Sequence, residues 1–109
     1  MDLKERVAVV TGGTGGLGQR ICRALALEGA HVAVVYLASH EAARQYAEEL
    51  SALGPKCVAI QADVTQEVAI QHMVAQVQRE FGRLDILMNN AAFNQSVPFK
   101  DLDGMTLEL

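Results

Sequence analysis

Short apolar runs alternate with longer amphipathic segments along this chain, and the alternation predicts its secondary structure. Four runs rich in valine, isoleucine and alanine are typical of strands, at residues 7–10, 31–36, 56–61 and 84–89. Between these runs, apolar residues recur three and four positions apart, which predicts three helices. Strands and helices that alternate in this order indicate a parallel sheet with helices on both faces.

The predicted helices have recognisable apolar stripes and ends. The stripe of the first helix comprises Leu17, Ile21, Ala24, Leu25 and Leu27. That helix ends near Gly29, and Gly54-Pro55 stops the second. The stripe of the third comprises Ile70, Met73, Val74, Val77 and Phe81. We expect Thr65 to cap this third helix and Gly82 to close it.

A glycine-rich segment joins the first strand to the first helix. It reads Thr11-Gly12-Gly13-Thr14-Gly15-Gly16-Leu17-Gly18. Two spacings overlap in it: Gly13, Gly15 and Gly18 fit G-x-G-x-x-G, and Gly12, Gly16 and Gly18 fit G-x-x-x-G-x-G. Glycine lets a pyrophosphate approach the main chain, and the helix N-terminus offers free N–H groups to the anion. A strand, this turn and a helix in succession predict a nucleotide site.

Composition narrows the function classes. The chain has 109 residues and a net charge of −4, so it offers no basic stripe for nucleic acid. No apolar run is long enough to span a membrane, and the charged first residues do not resemble a signal peptide. Cys22 and Cys57 are far apart and predict buried thiols in a reducing, cytoplasmic setting. The three histidines lack metal-ligand spacing, so no metal site is predicted.

Three motifs in order resemble the N-terminal part of a short-chain dehydrogenase/reductase. They are Thr11-Gly12-x-x-x-Gly16-x-Gly18, then Asp63-Val64, then Asn89-Asn90-Ala91-Ala92. The resemblance covers essentially the whole chain and extends to 3-oxoacyl-carrier-protein reductases and glucose dehydrogenases. It implies a truncated Rossmann-type, doubly wound parallel sheet of about four strands and three helices, in the order 3-2-1-4. Residues 105–109 look like the first turn of a further helix, so residues 1–109 are interpreted as a partial NAD(P)-binding domain.

The resemblance also implies roles for individual residues. The phosphates and the adjoining ribose would be surrounded by Gly12, Thr14, Gly15, Gly16, Leu17 and Gly18. Asp63 would accept a hydrogen bond from the adenine amino group, with Val64 against the ring. From residue type alone, Asp63 could equally be the turn or cap residue before the third helix. Asn90 and Ala91 would lie along the adenosine ribose, and Ala92 stands where the family usually has glycine.

The end of the second strand bears on the choice between NAD and NADP. An acidic residue there would bond the ribose 2′-hydroxyl and repel a 2′-phosphate. The chain instead has Tyr36-Leu37-Ala38-Ser39, with no acid before Glu41. This predicts NADP over NAD. Ser39, His40 and Arg44 are the nearby candidates to contact a 2′-phosphate, although Arg44 could equally be a solvated surface charge.

The family's catalytic tyrosine and lysine, spaced Tyr-x-x-x-Lys, do not occur in these residues. Four positions after Tyr36 the chain has His40, and four positions after Tyr46 it has Leu50, so neither tyrosine is followed by the lysine. Two hypotheses follow. The first is the cofactor-binding part of an oxidoreductase that transfers hydride between a nicotinamide and a small carbonyl or alcohol substrate; this part is expected to be inactive alone, and its parent to be a homo-dimer or homo-tetramer. The second is a non-catalytic dinucleotide-binding module or pseudoenzyme.

Overall fold

Four parallel strands and three helices alternate in the computed structural model, which describes residues 2–90. The strands are β1 (Val7–Thr11), β2 (His31–Tyr36), β3 (Cys57–Gln61) and β4 (Ile86–Asn89), and the helices are α1 (Gly16–Leu27), α2 (His40–Ser51) and α3 (Glu67–Phe81). The sheet order is β3-β2-β1-β4, which confirms the predicted Rossmann-type topology. Ala91, Ala92 and the helical turn predicted at 105–109 lie outside the described residues.

Two apolar clusters pack against opposite faces of the sheet. On one face, Val9 and Val35 belong to a cluster with Met73 and Val77 of α3. On the other face, residues of β1 and β2 meet α1 and α2, through side chains that include Val10, Val34, Cys22, Ala26 and Leu50. Alternate residues of a strand point to opposite faces, so β1 and β2 are buried on both sides and contain almost only apolar residues.

The predicted apolar stripe of α1 is partly wrong. The buried residues of this helix are Gly18, Cys22 and Ala26, spaced by four, and Ile21 and Leu25 only flank them. Leu17 and Leu27 are 63% and 62% exposed. Small residues on the buried face let α1 approach the sheet closely, and this moves the larger apolar residues to its margins.

Thr65 does not cap α3, contrary to the prediction. The helix begins at Glu67, and Gln66 occupies the cap position without a side-chain hydrogen bond. The Thr65 hydroxyl instead donates to Oδ1 of Asp63 at 2.6 Å. The ionised carboxylate of Asp63, two residues earlier, is a strong hydrogen-bond acceptor. The Thr65 hydroxyl therefore stabilises the turn before the helix rather than the helix itself. At the other end, Gly82 closes α3 as predicted, with a φ of 77°.

Asp85 fastens the start of β4 to the start of β1. Its Oδ2 accepts a hydrogen bond from the Val7 backbone N–H at 2.9 Å, and its own N–H donates to the Val7 carbonyl at 2.9 Å. Arg83 pairs with both carboxylate oxygens, at 2.8 and 2.7 Å. The hydrogen bonds from Arg83 and Val7 lower the pKa of Asp85 from its usual 3.8 to about 2.

This carboxylate predicts a stability change at low pH. A depressed pKa means that the folded state favours the ionised form, so the Asp85 contribution is present above pH 3.8 and is lost as the pH falls toward about 2. We expect Asp85→Asn to lower the melting temperature at pH 7, and the gap from the parent protein to narrow as the pH falls from about 3.8 toward 2. Thermal melts of both proteins across this range measure the gap. A gap of equal size at pH 7 and pH 2.5 would contradict the assignment.

Within residues 2–90, β4 lies at the edge of the sheet and is less buried than the other strands. Leu87 and Met88 are 44% and 37% exposed, whereas β1 is buried along its whole length. None of the helices in the described part of the chain is both long enough and apolar enough to cross a membrane.

Candidate active-site cleft

A cleft of about 570 Å³ opens at the carboxyl ends of the strands. It is lined by Gly12, Thr14, Gly15, Gly16, Leu17, Gly18, Val35, Tyr36, Leu37, Ala38, Ser39, Ala62, Asp63, Val64, Thr65 and Asn90. In an open parallel sheet, ligands bind at the carboxyl ends of the strands, at the point where the order of the strands reverses. Here that point is β1, which has β2 on one side and β4 on the other. Within the described range, the residues expected to contact the cofactor lie in this lining, except His40 and Arg44, two of the three candidates for a 2′-phosphate.

The glycine-rich loop contains glycines that the fold itself requires. Gly12 has a φ of 64°, in the left-handed region that favours glycine. A Cβ on Gly18 would lie 2.1 Å from the Gly12 carbonyl oxygen, and one on Gly13 would lie 2.7 Å from Cγ1 of Val34. Gly13 therefore packs against the core between the sheet and α1. Of the two overlapping spacings, the one through Gly12, Gly16 and Gly18 is the one that lines the cleft.

Gly15 and Gly16 differ from the other glycines of the loop. Neither has a positive φ, and Gly15 has ordinary extended backbone angles of −74° and 168°. Among residues 2–90, a Cβ on Gly15 would meet only the Gly12 carbonyl oxygen at 3.6 Å, and one on Gly16 would meet nothing within 4 Å. This part of the protein thus gives no steric reason for glycine at either position. The open space beside them is where a group bound against the main chain would lie.

The N-terminus of α1 is suited to an anion. The first N–H groups of a helix have no partner within it, and Gly15 at the cap position supplies no side-chain hydrogen bond. Among the described helices, α2 and α3 have an acidic residue in the first turn, Glu41 and Glu67, and α1 has none. A phosphate here would meet donor groups and the positive end of the helix dipole without a competing carboxylate.

Among the described residues that line the cleft, Asp63 is the one charged side chain. Its Oδ1 accepts hydrogen bonds from both the N–H and the hydroxyl of Thr65, at 3.0 and 2.6 Å. These bonds lower the pKa of Asp63, so the carboxylate is ionised at neutral pH. The structural alternative for Asp63 is therefore confirmed, because the residue forms the turn before α3. Asp63 also lines the cleft, and its contact with adenine stays a prediction.

Asparagines at the end of β4 brace the glycine loop. Nδ2 of Asn90 donates to the Gly12 carbonyl oxygen at 3.3 Å, and Oδ1 of Asn89 accepts from the hydroxyl of buried Thr11 at 2.9 Å. Asn90 also lines the cleft, as its predicted ribose contact requires, whereas Ala91 and Ala92 lie outside the described residues.

The end of β2 presents an uncharged wall to the cleft. Tyr36 is buried, and its hydroxyl is hydrogen-bonded to Nδ1 of His40. Ser39 lines the cleft with a φ of 64°, but His40 and Arg44 line a separate groove between α2 and β3. Arg44 is held by Glu41 at 3.0 Å and Glu48 at 2.7 Å, which makes it the paired surface charge that the sequence allowed as an alternative.

Some features of the cleft were missed by sequence reasoning. Leu37, between two predicted contacts, is 62% exposed at the cleft, and its position in the strand-end segment was the available signal. Thr65 lines the cleft as well, although it was expected only as a cap.

Cys22 and Cys57 are buried free thiols, as predicted, and burial raises both pKa values, that of Cys22 to about 12. No cluster of metal-ligating residues occurs between residues 2 and 90.

Comparison with known proteins matches nearly the whole chain to one family. A family model described as short chain dehydrogenase matches residues 6–108. The hydroxynaphthalene reductase arp2 of Aspergillus fumigatus is 42% identical over 108 residues, which are 99% of this chain and 38% of that protein. The short-chain dehydrogenase/reductase homolog YusS of Bacillus subtilis is 37% identical over 106 residues, which are 97% of both chains. The chain thus spans well under half of arp2 and almost all of YusS.

One solved structure with the same fold is a complex with NADP. It is the Pseudomonas aeruginosa RhlG/NADP active-site complex, which is 39% identical to this chain with a TM-score of 0.74. The match covers 82% of this chain and 35% of that one.

Proposed function

The chain belongs to the short-chain dehydrogenase family of NAD(P)-binding oxidoreductases, and from this premise we propose that its cleft holds the adenosine and pyrophosphate half of NADP. The observation that carries the proposal is the open space at Gly15 and Gly16. Neither glycine has a positive φ, and among residues 2–90 no neighbour would exclude a Cβ on Gly16. Glycine there is explained by a ligand that approaches the main chain.

Each part of the cleft then has a task. The free N–H groups at the start of α1 bind the pyrophosphate, and Gly18 lets that helix approach the loop closely enough to present them. Asp63 accepts a hydrogen bond from the adenine amino group, and Val64 packs against the ring. Asn90 holds the Gly12 carbonyl and borders the ribose, with Ala91 and Ala92 following it in the sequence. Tyr36 and Ser39 border the ribose 2′ position.

The proposed reaction of the whole protein is hydride transfer with a small carbonyl or alcohol substrate. The bound cofactor supplies the hydride, or accepts it, at its nicotinamide. These 109 residues include no Tyr-x-x-x-Lys, so the proton donor of the family is not among them. This chain's own contribution is to bind and orient the cofactor.

A preference for NADP over NAD is supported by the uncharged end of β2. Ser39 occupies a left-handed conformation that asparagine and aspartate both tolerate, which permits a matched test. In calorimetric titrations we expect the parent protein to bind NADP more tightly than NAD. Ser39→Asp should weaken NADP binding about tenfold or more, because a carboxylate beside the 2′-phosphate is repulsive. Ser39→Asn, which has nearly the same shape as Ser39→Asp but no charge, should retain the preference of the parent protein for NADP.

Two results of these titrations would count against the proposal. Tighter binding of NAD than NADP to the parent protein would overturn the cofactor preference. Failure of both cofactors to bind would overturn the assignment of the cleft itself.

A second candidate function is a non-catalytic dinucleotide-binding module. The observation that favours it is YusS, a curated relative whose length is almost entirely matched by this chain. Both candidates require cofactor binding and differ in turnover. Because these 109 residues are expected to be inactive alone under either hypothesis, the test uses the full natural protein. Stoichiometric binding of NADP by that protein, without NADPH oxidation over a panel of small ketones and aldehydes, would favour the module.

The cellular location is a further part of the proposal. Cys22 and Cys57 are buried, free thiols, which fit a reducing compartment, so we propose that the protein is cytoplasmic. We propose small-molecule substrates rather than nucleic acid or membrane partners, and a homo-dimeric or homo-tetrameric parent.

A further inference from the structure

The turn between β3 and α3 is built around one oxygen of Asp63. Both hydrogen bonds from Thr65, one from its N–H and one from its hydroxyl, go to Oδ1. The Gln66 N–H donates to the Asp63 carbonyl oxygen at 2.9 Å and closes the same turn. Among residues 2–90, no hydrogen bond reaches the other oxygen, Oδ2, and Asp63 and Thr65 both line the cleft.

We propose that Thr65 is a positioning residue, which holds the Asp63 carboxylate so that its remaining oxygen selects a purine with an amino group at position 6. Two donors on one oxygen restrain the rotation of the carboxylate, since a rotated group would lose both bonds. The second oxygen is then an acceptor at a fixed place on the wall of the cleft.

The chemistry of the turn makes Asp63 an acceptor only. The Thr65 hydroxyl is the largest cause of the lowered pKa of Asp63, and an ionised carboxylate has no hydrogen to donate. Adenine presents an amino group to such an acceptor. In hypoxanthine a carbonyl replaces that amino group and N1 carries a hydrogen, so a carboxylate oxygen positioned for the amino group faces the carbonyl oxygen, another acceptor, and the hydrogen bond is lost.

This inference rests on the proposed function, because it assigns the base-binding part of the same cleft. The probes are NADP and its deaminated analogue, nicotinamide hypoxanthine dinucleotide phosphate, with NAD and deamino-NAD as a second pair. Within each pair only the base differs. The ratio of the two dissociation constants thus reports base selection and cancels effects on the phosphates and riboses.

Calorimetric titration of the parent protein should show about tenfold tighter binding of the adenine dinucleotide than of its hypoxanthine analogue. Thr65→Val keeps the size of the side chain and removes the hydroxyl, and should reduce the ratio to about threefold or less. Thr65→Ser restores the hydroxyl and should restore the ratio. Thermal melts of both variants establish that they are folded.

The outcomes separate this inference from the proposed function. Equal binding of adenine and hypoxanthine dinucleotides by the parent protein overturns the inference and leaves the proposed function standing. A Thr65→Val variant that weakens both dinucleotides equally, with the ratio retained, shows a merely structural role and also overturns it. If neither the adenine nor the hypoxanthine dinucleotide binds the parent protein, both proposals are overturned.

Discussion

Replacing Gly18 with alanine is expected to lower the free energy of unfolding by about 3 kcal/mol and to abolish cofactor binding. The new Cβ would lie 2.1 Å from the Gly12 carbonyl oxygen and 2.9 Å from Nδ2 of Asn90. A flexible side chain could move away from such a contact, but the Gly12 carbonyl is main chain. Either α1 withdraws from the sheet or the glycine loop is displaced, and the loop is the floor of the cleft.

The matched control is the same substitution two positions earlier. Gly16 lies at the first position of α1, and a Cβ there would have no neighbour within 4 Å in the described part of the chain. Alanine favours a helix over glycine by up to about 1 kcal/mol, so Gly16→Ala should be neutral or stabilising. Urea unfolding of the parent protein and both variants measures the difference. A Gly18→Ala protein as stable as Gly16→Ala would show that the loop and α1 do not pack as described.

The large effect of Gly16→Ala is expected on cofactor binding rather than on stability. If the pyrophosphate lies against the main chain at the start of α1, a methyl group at this position separates it from the N–H groups that bind it. We expect NADP affinity to fall about tenfold to a hundredfold, the cost of leaving one or two charge-assisted hydrogen bonds unmade. Calorimetric titration of a variant shown to be folded gives the change in dissociation constant.

A control substitution elsewhere on α1 separates this steric effect from a general one. Leu27 lies at the far end of the same helix and is exposed, so Leu27→Ala should leave NADP affinity unchanged. Unchanged NADP affinity in Gly16→Ala would mean that the ligand does not occupy the space beside this residue. The observation on which the proposed function depends would then need another explanation.

The sequence predicted the sheet and the location of the cleft well because both depend on local signals. Alternating strand and helix patterns determine a parallel sheet, and the carboxyl ends of its strands bring Gly12, Tyr36, Asp63 and Asn90 to one edge. The order of strands came from the family resemblance, and the register observed for β1 with β2 and β4 agrees with it.

What the sequence left undecided depends on contacts between distant residues. Gly13 belongs to one of two overlapping glycine spacings, and only its approach to Val34 shows that it serves the core. As a cap of α3, Thr65 would accept a hydrogen bond from a backbone N–H, but its hydroxyl instead donates to Asp63, and only the folded turn shows where the helix begins. Likewise, the buried face of α1 is set by how closely it approaches the sheet, and hydrophobicity alone favoured its larger residues.

The hydrogen bond from Asn90 to Gly12 connects the cleft to the least buried strand described. β1 has neighbours on both sides, whereas β4 has one within residues 2–90, so β4 should exchange its amide hydrogens with solvent sooner. Each opening of β4 releases the carbonyl of Gly12 while β1 stays folded. The fraction of molecules with an ordered loop, and with it the apparent affinity for a ligand, is therefore linked to the local stability of β4. A mutation that merely loosens this strand would weaken binding without touching the ligand.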